Sequence, residues 1–245
     1  MIHKTRGIVL RTVKYGETSV IVSIYTELFG LQSYIVNGVR KSSKKGPGKA
    51  NLFQPAALLD LVVYHNDLHN LQRLKEFKWS YLYETILSDI RKNTVALYMI
   101  ELLQKTIKQP ESNADLYAFI EDAFMHLDRS NDAVAANFAL FFALHLTFFF
   151  GFRLSDSYSE KDKVLDLQEG IFISSTPSHG YYLDGQFSYT TSQLLKVRQP
   201  HELEEIRLNA EMRRTLLQAY EHFYALHVPG FGSLRSMPVL QEILS

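Results

Sequence analysis

Residues Gly7–Lys49 read GIVLRTVKYGETSVIVSIYTELFGLQSYIVNGVRKSSKKGPGK, and their pattern decides the fold. Short apolar runs broken by glycine turns carry the signature of β-strands joined by tight connections. A first strand is predicted over Lys4–Val13, closed by Tyr15-Gly16-Glu17; a second over Ser19–Thr26, closed by Leu28-Phe29-Gly30; a third over Leu31–Asn37. The chain then enters a segment in which Arg40, Lys41, Lys44, Lys45 and Lys49 alternate with Ser42, Ser43, Gly46, Pro47 and Gly48, without an acidic residue. Such a segment has no apolar side chains to repay the entropy of ordering. Charge this one-sided is the footprint of a polyanion-binding arm. Its lysines would displace counterions from phosphates, while serine hydroxyls and glycine amides add neutral hydrogen bonds. The bland alternative is a solvated loop.

Beyond that segment, Ala57–His65 (ALLDLVVYH) reads as a fourth strand, Asn66-Asp67 as a hairpin turn whose residues tolerate positive φ, and Leu68 towards Trp79 as a fifth strand. Strands this short with a long third connection predict a small antiparallel barrel. The OB-fold is the expected form and an SH3-like barrel the alternative. On the first strand, Arg6, Ile8, Leu10 and Thr12 would share one face and Gly7, Val9, Arg11 and Val13 the other.

From Ser80 the period changes. Tyr81–Ile107 has the spacing of a long amphipathic helix or two short ones, ended by Lys108-Gln109-Pro110. Ser112 or Asn113 is placed to cap a helix through Leu127, and Asn131 or Asp132 another through Phe150. Strand-like runs at Val164–Leu167, Ile171–Ser174 and Tyr181–Leu183 read as a β-hairpin inserted near 164–189. A last long helix is predicted over His201–His227, and Leu234–Leu244 as a short docked helix. The expected class is therefore α+β: an OB-fold barrel over residues 1–79, then a mainly helical domain over 80–245 with the hairpin insertion.

At 245 residues the chain has room for one large or several small domains. It contains no cysteine, which excludes disulfides, thiolate zinc sites and cysteine nucleophiles and fits a reducing compartment. No apolar leader is visible after Met1, so a cytoplasmic location is expected. The most apolar run, Phe138–Phe152, is interrupted by His145 and is shorter than the roughly 20 residues of a spanning helix, so it reads as a buried core helix. Net charge is zero, but residues 1–80 hold twelve basic residues against five acidic ones, and the remainder fourteen against twenty-one. The basic excess lies in the N-terminal part.

Catalytic patterns fail on inspection. A phosphate-binding loop ending at Gly48-Lys49 would need glycine at 43 and a hydroxyl at 50, where Ser43 and Ala50 stand. His65 and His69 straddle a predicted turn, and His201-Glu202 is followed by Glu205 where a zinc motif needs histidine. The acidic pairs Glu121-Asp122 and Glu204-Glu205 are adjacent on helices and point apart. An enzyme ranks last among the readings. A protein-interaction scaffold, its basic loop engaging an acidic partner, ranks second.

Several short motifs resemble one family. Tyr15-Gly16-Glu17, the Thr26 to Gly30 turn, Gly38 with Arg40 and Ser42, and Leu234-Arg235-Ser236 with Val239-Leu240 are similar to the pattern of RecO, the bacterial recombination mediator. The resemblance implies binding of single- and double-stranded DNA, annealing of complementary strands coated by single-strand-binding protein, and action with RecR to help load RecA. No covalent step, membrane or cofactor is implied. The residues expected to meet DNA are Arg6, Arg11 and Lys14 on the first strand and Arg40, Lys41, Ser43, Lys44, Lys45 and Lys49 after the third. Tyr15, Tyr25, Phe29 and Tyr34 are candidate base-stacking rings, each equally readable as core. Arg91, Lys105 and Arg129 are candidate rim cations for the acidic tail of single-strand-binding protein. Many family members carry a four-cysteine zinc motif where this chain has Gly151–Gly185 without cysteine. Metal is therefore not expected, and Phe172, Tyr181, Tyr182 and Phe187 are expected to hold the hairpin.

Overall fold

The computed structural model describes residues 1–40 and 49–244. It divides into two compact units, residues 1–83 with 107–124, and residues 84–106 with 125 to the C-terminus.

The first unit is built on five strands: β1 (Ile2–Tyr15), β2 (Ser19–Thr26), β3 (Gly30–Val36), β4 (Leu58–Tyr64) and β5 (Leu71–Tyr81). They close in the order β1-β2-β3-β5-β4. The β3–β5 pair is parallel and the others antiparallel. This is the OB-fold barrel. Alternate residues of β2, Val20, Val22 and Ile24, point inward onto Leu59, Leu61 and Val63 of β4 and Tyr34 of β3. Each such burial contributes about 1.5–3 kcal/mol.

The alternation expected for β1 fails at its centre. Ile8, Val9 and Leu10 are consecutively buried, because the register with β2 shifts between Val9 and Arg11. This bulge bends the strand, so that Ile2–Ile8 pair with β4 while Gly7–Tyr15 pair with β2. The β4–β5 connection is longer than the Asn66-Asp67 turn. Neither residue has positive φ. Instead the buried Gln72 carboxamide accepts from Asn66 N and donates to the carbonyls of Asn66 and His69, stapling the loop from within.

Gly30 closes the β2–β3 turn at φ +61°, and a Cβ there would lie 2.3 Å or less from the Pro110 and Glu111 carbonyls. Thr26 Oγ1 accepts from Phe29 N and donates to Gly30 O.

The second unit contains α1 (Ile90–Thr106), the end of α2 (Ala114–Arg129), α3 (Asp132–Leu146), α4 (Gly185–Lys196), α5 (Ala210–His227), α6 (Met237–Ile243) and a sheet ordered β7-β6-β8. The sheet strands are β6 (Val164–Asp166), β7 (Ile171–Ile173) and β8 (Tyr182–Leu183). α3 is the core helix. Asn131 caps it by accepting from Val134 N at 3.0 Å. Phe138, Leu140, Phe142 and Leu144 are at most 1% exposed. Asp132–Phe149 is long and apolar enough to cross a membrane by composition, yet two-thirds of it is buried inside the protein.

Three expectations need correction here. The helix read from Tyr81 begins only at Ile90, because the buried Asp128 carboxylate takes the N–H groups of Glu84, Thr85 and Ile86 and holds them out of a helix. Asp89 then caps α1 by accepting from Arg91 N and Lys92 N. The helix read from His201 is a 3-10 turn over Pro200–Glu205 followed by α5, which Asn209 caps through Met212 N. The inserted hairpin is a three-stranded sheet, and residues from Gly185 onward form α4. That helix is masked in sequence by Ser188, Thr190, Thr191 and Ser192, all buried. Their hydroxyls are satisfied where bonded: Ser188 donates to Lys163 O, Thr191 meets Tyr220 Oη at 2.9 Å, and Ser192 donates to Asp156 at 2.7 Å. In the sheet, Phe172 is buried as expected, but Tyr181 is 44% exposed, and Leu165 and Leu183 fill the interior.

Two measurements check this account. Gly30→Ala should lower the barrel's Tm, followed by fluorescence of the single Trp79, by at least about 5 °C, whereas Gly38→Ala, with φ +72° but nothing within 4 Å among the described residues, should cost less. Asp128→Ala should destabilise the helical unit by about 3 kcal/mol in urea unfolding, since three backbone donors lose their acceptor.

Candidate nucleic-acid interface

Beyond Ile8, its last partner position with β4, β1 continues as one side of a β1–β2 arm. Arg11 and Lys14 lie on this arm, opposite Ser23 and Val20, and both are exposed. Val13 and Tyr15 beside them are exposed as well. Arg40 joins them through the turn at the arm's tip. Its backbone N–H donates to Thr18 O at 3.0 Å and its Nη1 to Gly16 O at 3.1 Å. Among the described residues, Arg11, Lys14 and Arg40 have no carboxylate partner.

The far end of the basic segment returns to the same arm. Lys49 opens a 3-10 turn that ends at Phe53. Thr12 Oγ1 donates to Phe53 O, and the Phe53 ring packs on Phe77 at 4.7 Å. Lys41, Ser43, Lys44 and Lys45 lie outside the described residues. Both chain ends that flank them are rooted on the β1–β2 arm.

Arg6 stands apart from this group. Its Nε and Nη2 bind Glu27 at 3.1 and 2.8 Å, and Nη1 binds Glu121. The guanidinium lies 5.2 Å from the Tyr117 ring centre. The Glu27 bond, followed by the charge of Glu121, holds Arg6 more firmly protonated than usual, while burial opposes it. Arg6 in turn pulls Glu27 below the ordinary carboxylate range. Burial pushes Glu121 upward despite the pull of Arg6. The charge of Arg6 is thus met by two carboxylates within its own unit.

The four candidate rings separate by burial. Tyr25 and Tyr34 are at most 1% exposed. Burial pushes the Tyr25 hydroxyl up to about 12. Phe29 is stacked on His65 at 3.8 Å. Tyr15, half exposed on the arm, is the ring of the four with an open face. Strand alternation alone could not sort these aromatics, because the bulge and the turns decide which face each one takes.

Among the proposed rim cations, Lys105 donates to Phe231 O at 2.6 Å and Arg91 faces Asp132 at 3.4 Å. Arg129 lies in the last turn of α2. The residues of Gly151–Gly185 do not fit a thiolate zinc site: no cysteine is present, and among the described residues no group of three or more His, Cys, Asp or Glu converges.

Comparison with known proteins covers both units. The family model described as Recombination protein O N terminal matches residues 1–83, and that described as Recombination protein O C terminal matches residues 87–238. DNA repair protein RecO of Phocaeicola vulgatus is 30% identical over 245 residues, spanning all of both chains. The proteins of the same name from Christiangramia forsetii and Bacteroides fragilis are each 33% identical, over 243 and 245 residues and 99% of both chains. With an N-terminal OB barrel, a helical unit that follows it in sequence and relatives matched over the whole length, the chain belongs to the RecO family of DNA repair proteins.

Proposed function

We propose that the protein binds single- and double-stranded DNA along the β1–β2 arm and the basic segment rooted on it, in the cytoplasm, and anneals complementary strands coated by single-strand-binding protein. In this reading it acts with RecR to help load RecA, and it makes or breaks no bond. The observation that carries the proposal is that Arg11 and Lys14 on the β1–β2 arm and Arg40, bonded to the turn at its tip, have no carboxylate partner among the described residues, and that Phe53, at the end of the 3-10 turn that Lys49 opens, is bonded to the same arm.

The physics is that of phosphate neutralisation. Two DNA strands repel each other until their phosphates are screened, and each lysine or arginine that replaces a condensed counterion releases it to solution. Lys41, Lys44, Lys45 and Lys49 would add to the three cations of the arm, with Ser43 as a neutral donor. Tyr15 supplies a face on which an unpaired base can stack. Residues 1–79 would form the DNA-binding domain, and residues 80–245 would serve the protein partners, including the acidic tail of single-strand-binding protein. A surplus of acidic residues after residue 80 keeps DNA off that part of the chain.

The test is fluorescence anisotropy of a labelled single-stranded oligonucleotide at several salt concentrations. Replacing Arg40, Lys41, Lys44 and Lys45 together by alanine should weaken binding uniformly across sequences and flatten the log–log salt slope by about one unit per lost phosphate contact. Arg11→Ala with Lys14→Ala should act in the same direction. Arg6→Met should instead lower Tm, since it strands Glu27 and Glu121, and leave the salt slope as it was. A wild-type protein with no salt-sensitive affinity would return the barrel to the protein-docking reading.

A further inference from the structure

The small sheet of the helical unit occupies the stretch where many relatives by resemblance carry thiolates and zinc. In this chain one buried side chain touches every connection of that sheet. Asp166, at the end of β6, is 5% exposed. Its Oδ1 accepts from Gln168 N at 2.8 Å and Glu169 N at 3.2 Å, and its carbonyl accepts from Gly170 N at 2.9 Å, which shapes the turn into β7. Its Oδ2 lies 3.3 Å from His179 Nε2. His179 belongs to the connection that leads into β8, and its Nδ1 accepts from Tyr181 N at 3.3 Å. That bond leaves the ring proton on Nε2, directed at the carboxylate. Leu167 N donates to Tyr181 O at 3.0 Å, and Asp166 pairs with both Ile171 and Tyr182 across the strands.

We propose that Asp166 and His179 form a metal-free clasp that does for this sheet the work of a thiolate zinc site. A structural zinc ties two turns of chain together through its ligands. Here the carboxylate organises the β6–β7 turn with its first oxygen and holds the connection into β8 with its second. A carboxylate buried this deeply is tolerated only when its lone pairs are filled. Two backbone N–H groups on Oδ1 and the imidazole N–H on Oδ2 give each oxygen a donor. His179 is a positioning residue: its ring carries the carboxylate's hold onward to Tyr181, the residue that enters β8. Strands of two and three residues cannot hold register by their own hydrogen bonds. The clasp supplies the missing constraint, and it is immune to chelators and to thiol oxidation.

Hydrogen exchange on the full-length protein, read by mass spectrometry, tests this directly. Treatment with EDTA or 1,10-phenanthroline, or addition of zinc, should leave exchange over residues 164–183 and Tm unchanged. His179→Phe should speed exchange of the Gln168, Glu169 and Tyr181 amides by about tenfold or more, with His179→Gln, whose amide still donates to Asp166, falling between it and the natural protein. Barrel peptides, Ile2–Tyr15 among them, should exchange as before and so report that the variant is folded. The proposal is overturned by stoichiometric zinc in the purified protein, by a chelator that speeds exchange over this sheet, or by His179→Phe with exchange unchanged. DNA binding does not enter any of these readouts, so they stand independently of the function proposed above.

Discussion

A five-stranded sheet closes into a cylinder only if one strand serves two neighbours that lie in different directions, and in this protein β1 carries that demand. Its bulge at Leu10 turns the strand from β4 towards β2. Backbone bonds lock the bend. Val9 N donates to Ala57 O and Ala56 N to Val9 O, both at 2.9 Å, with Ala56 held at φ +70°. The same bend sets the electrostatics. Arg6, before it, faces Glu27 and Glu121; Arg11 and Lys14, after it, have no carboxylate partner among the described residues, the arm's one acidic residue, Glu17, standing in the turn at its tip. Five residues of sequence thus separate a structural cation from a candidate DNA-binding one.

Two carboxylates, Asp128 buried and Glu101 partly so, organise the second unit in much the same way that side chains fill the first. Asp128 gathers three consecutive N–H groups where the chain leaves the barrel strands, and Lys92 Nζ donates to Asp128 O at 2.9 Å beside it. Glu101 accepts from Arg235 N, Ser236 N and Ser236 Oγ, so the Leu234-Arg235-Ser236 motif proves to be the anchor of the C-terminal helix. Each carboxylate converts the cost of burial into fixed geometry, because no partner other than a donor of defined position can satisfy it.

Where local chemistry was the cause, the sequence was readable. β2 matches its predicted span, since Val20, Val22 and Ile24 alternate cleanly between glycine turns. α3 begins at the Asn131 cap that its sequence announced. Long-range partners were not readable. Nothing near Tyr81–Asp89 says that Asp128, some forty residues on, will hold that stretch out of a helix. α4 was lost because buried serines and threonines satisfied by distant groups look like loop residues. Among the candidate site residues, charge type was legible and commitment was not. Arg6 and Arg11 look alike until Glu27 and Glu121 are brought to one of them.

A cylinder is only as tight as its shortest seam. β1 joins β2 and β4, and β2 joins β3, over seven or eight paired positions each, whereas β3 meets β5 over Ser33–Leu71, Tyr34–Gln72 and Ile35–Arg73 alone. That seam is also the parallel one, with slanted and less stable bonds. The barrel is therefore mechanically anisotropic: stretched or warmed, it will unzip lengthwise between β3 and β5 and flatten into a curled sheet before any antiparallel pair lets go.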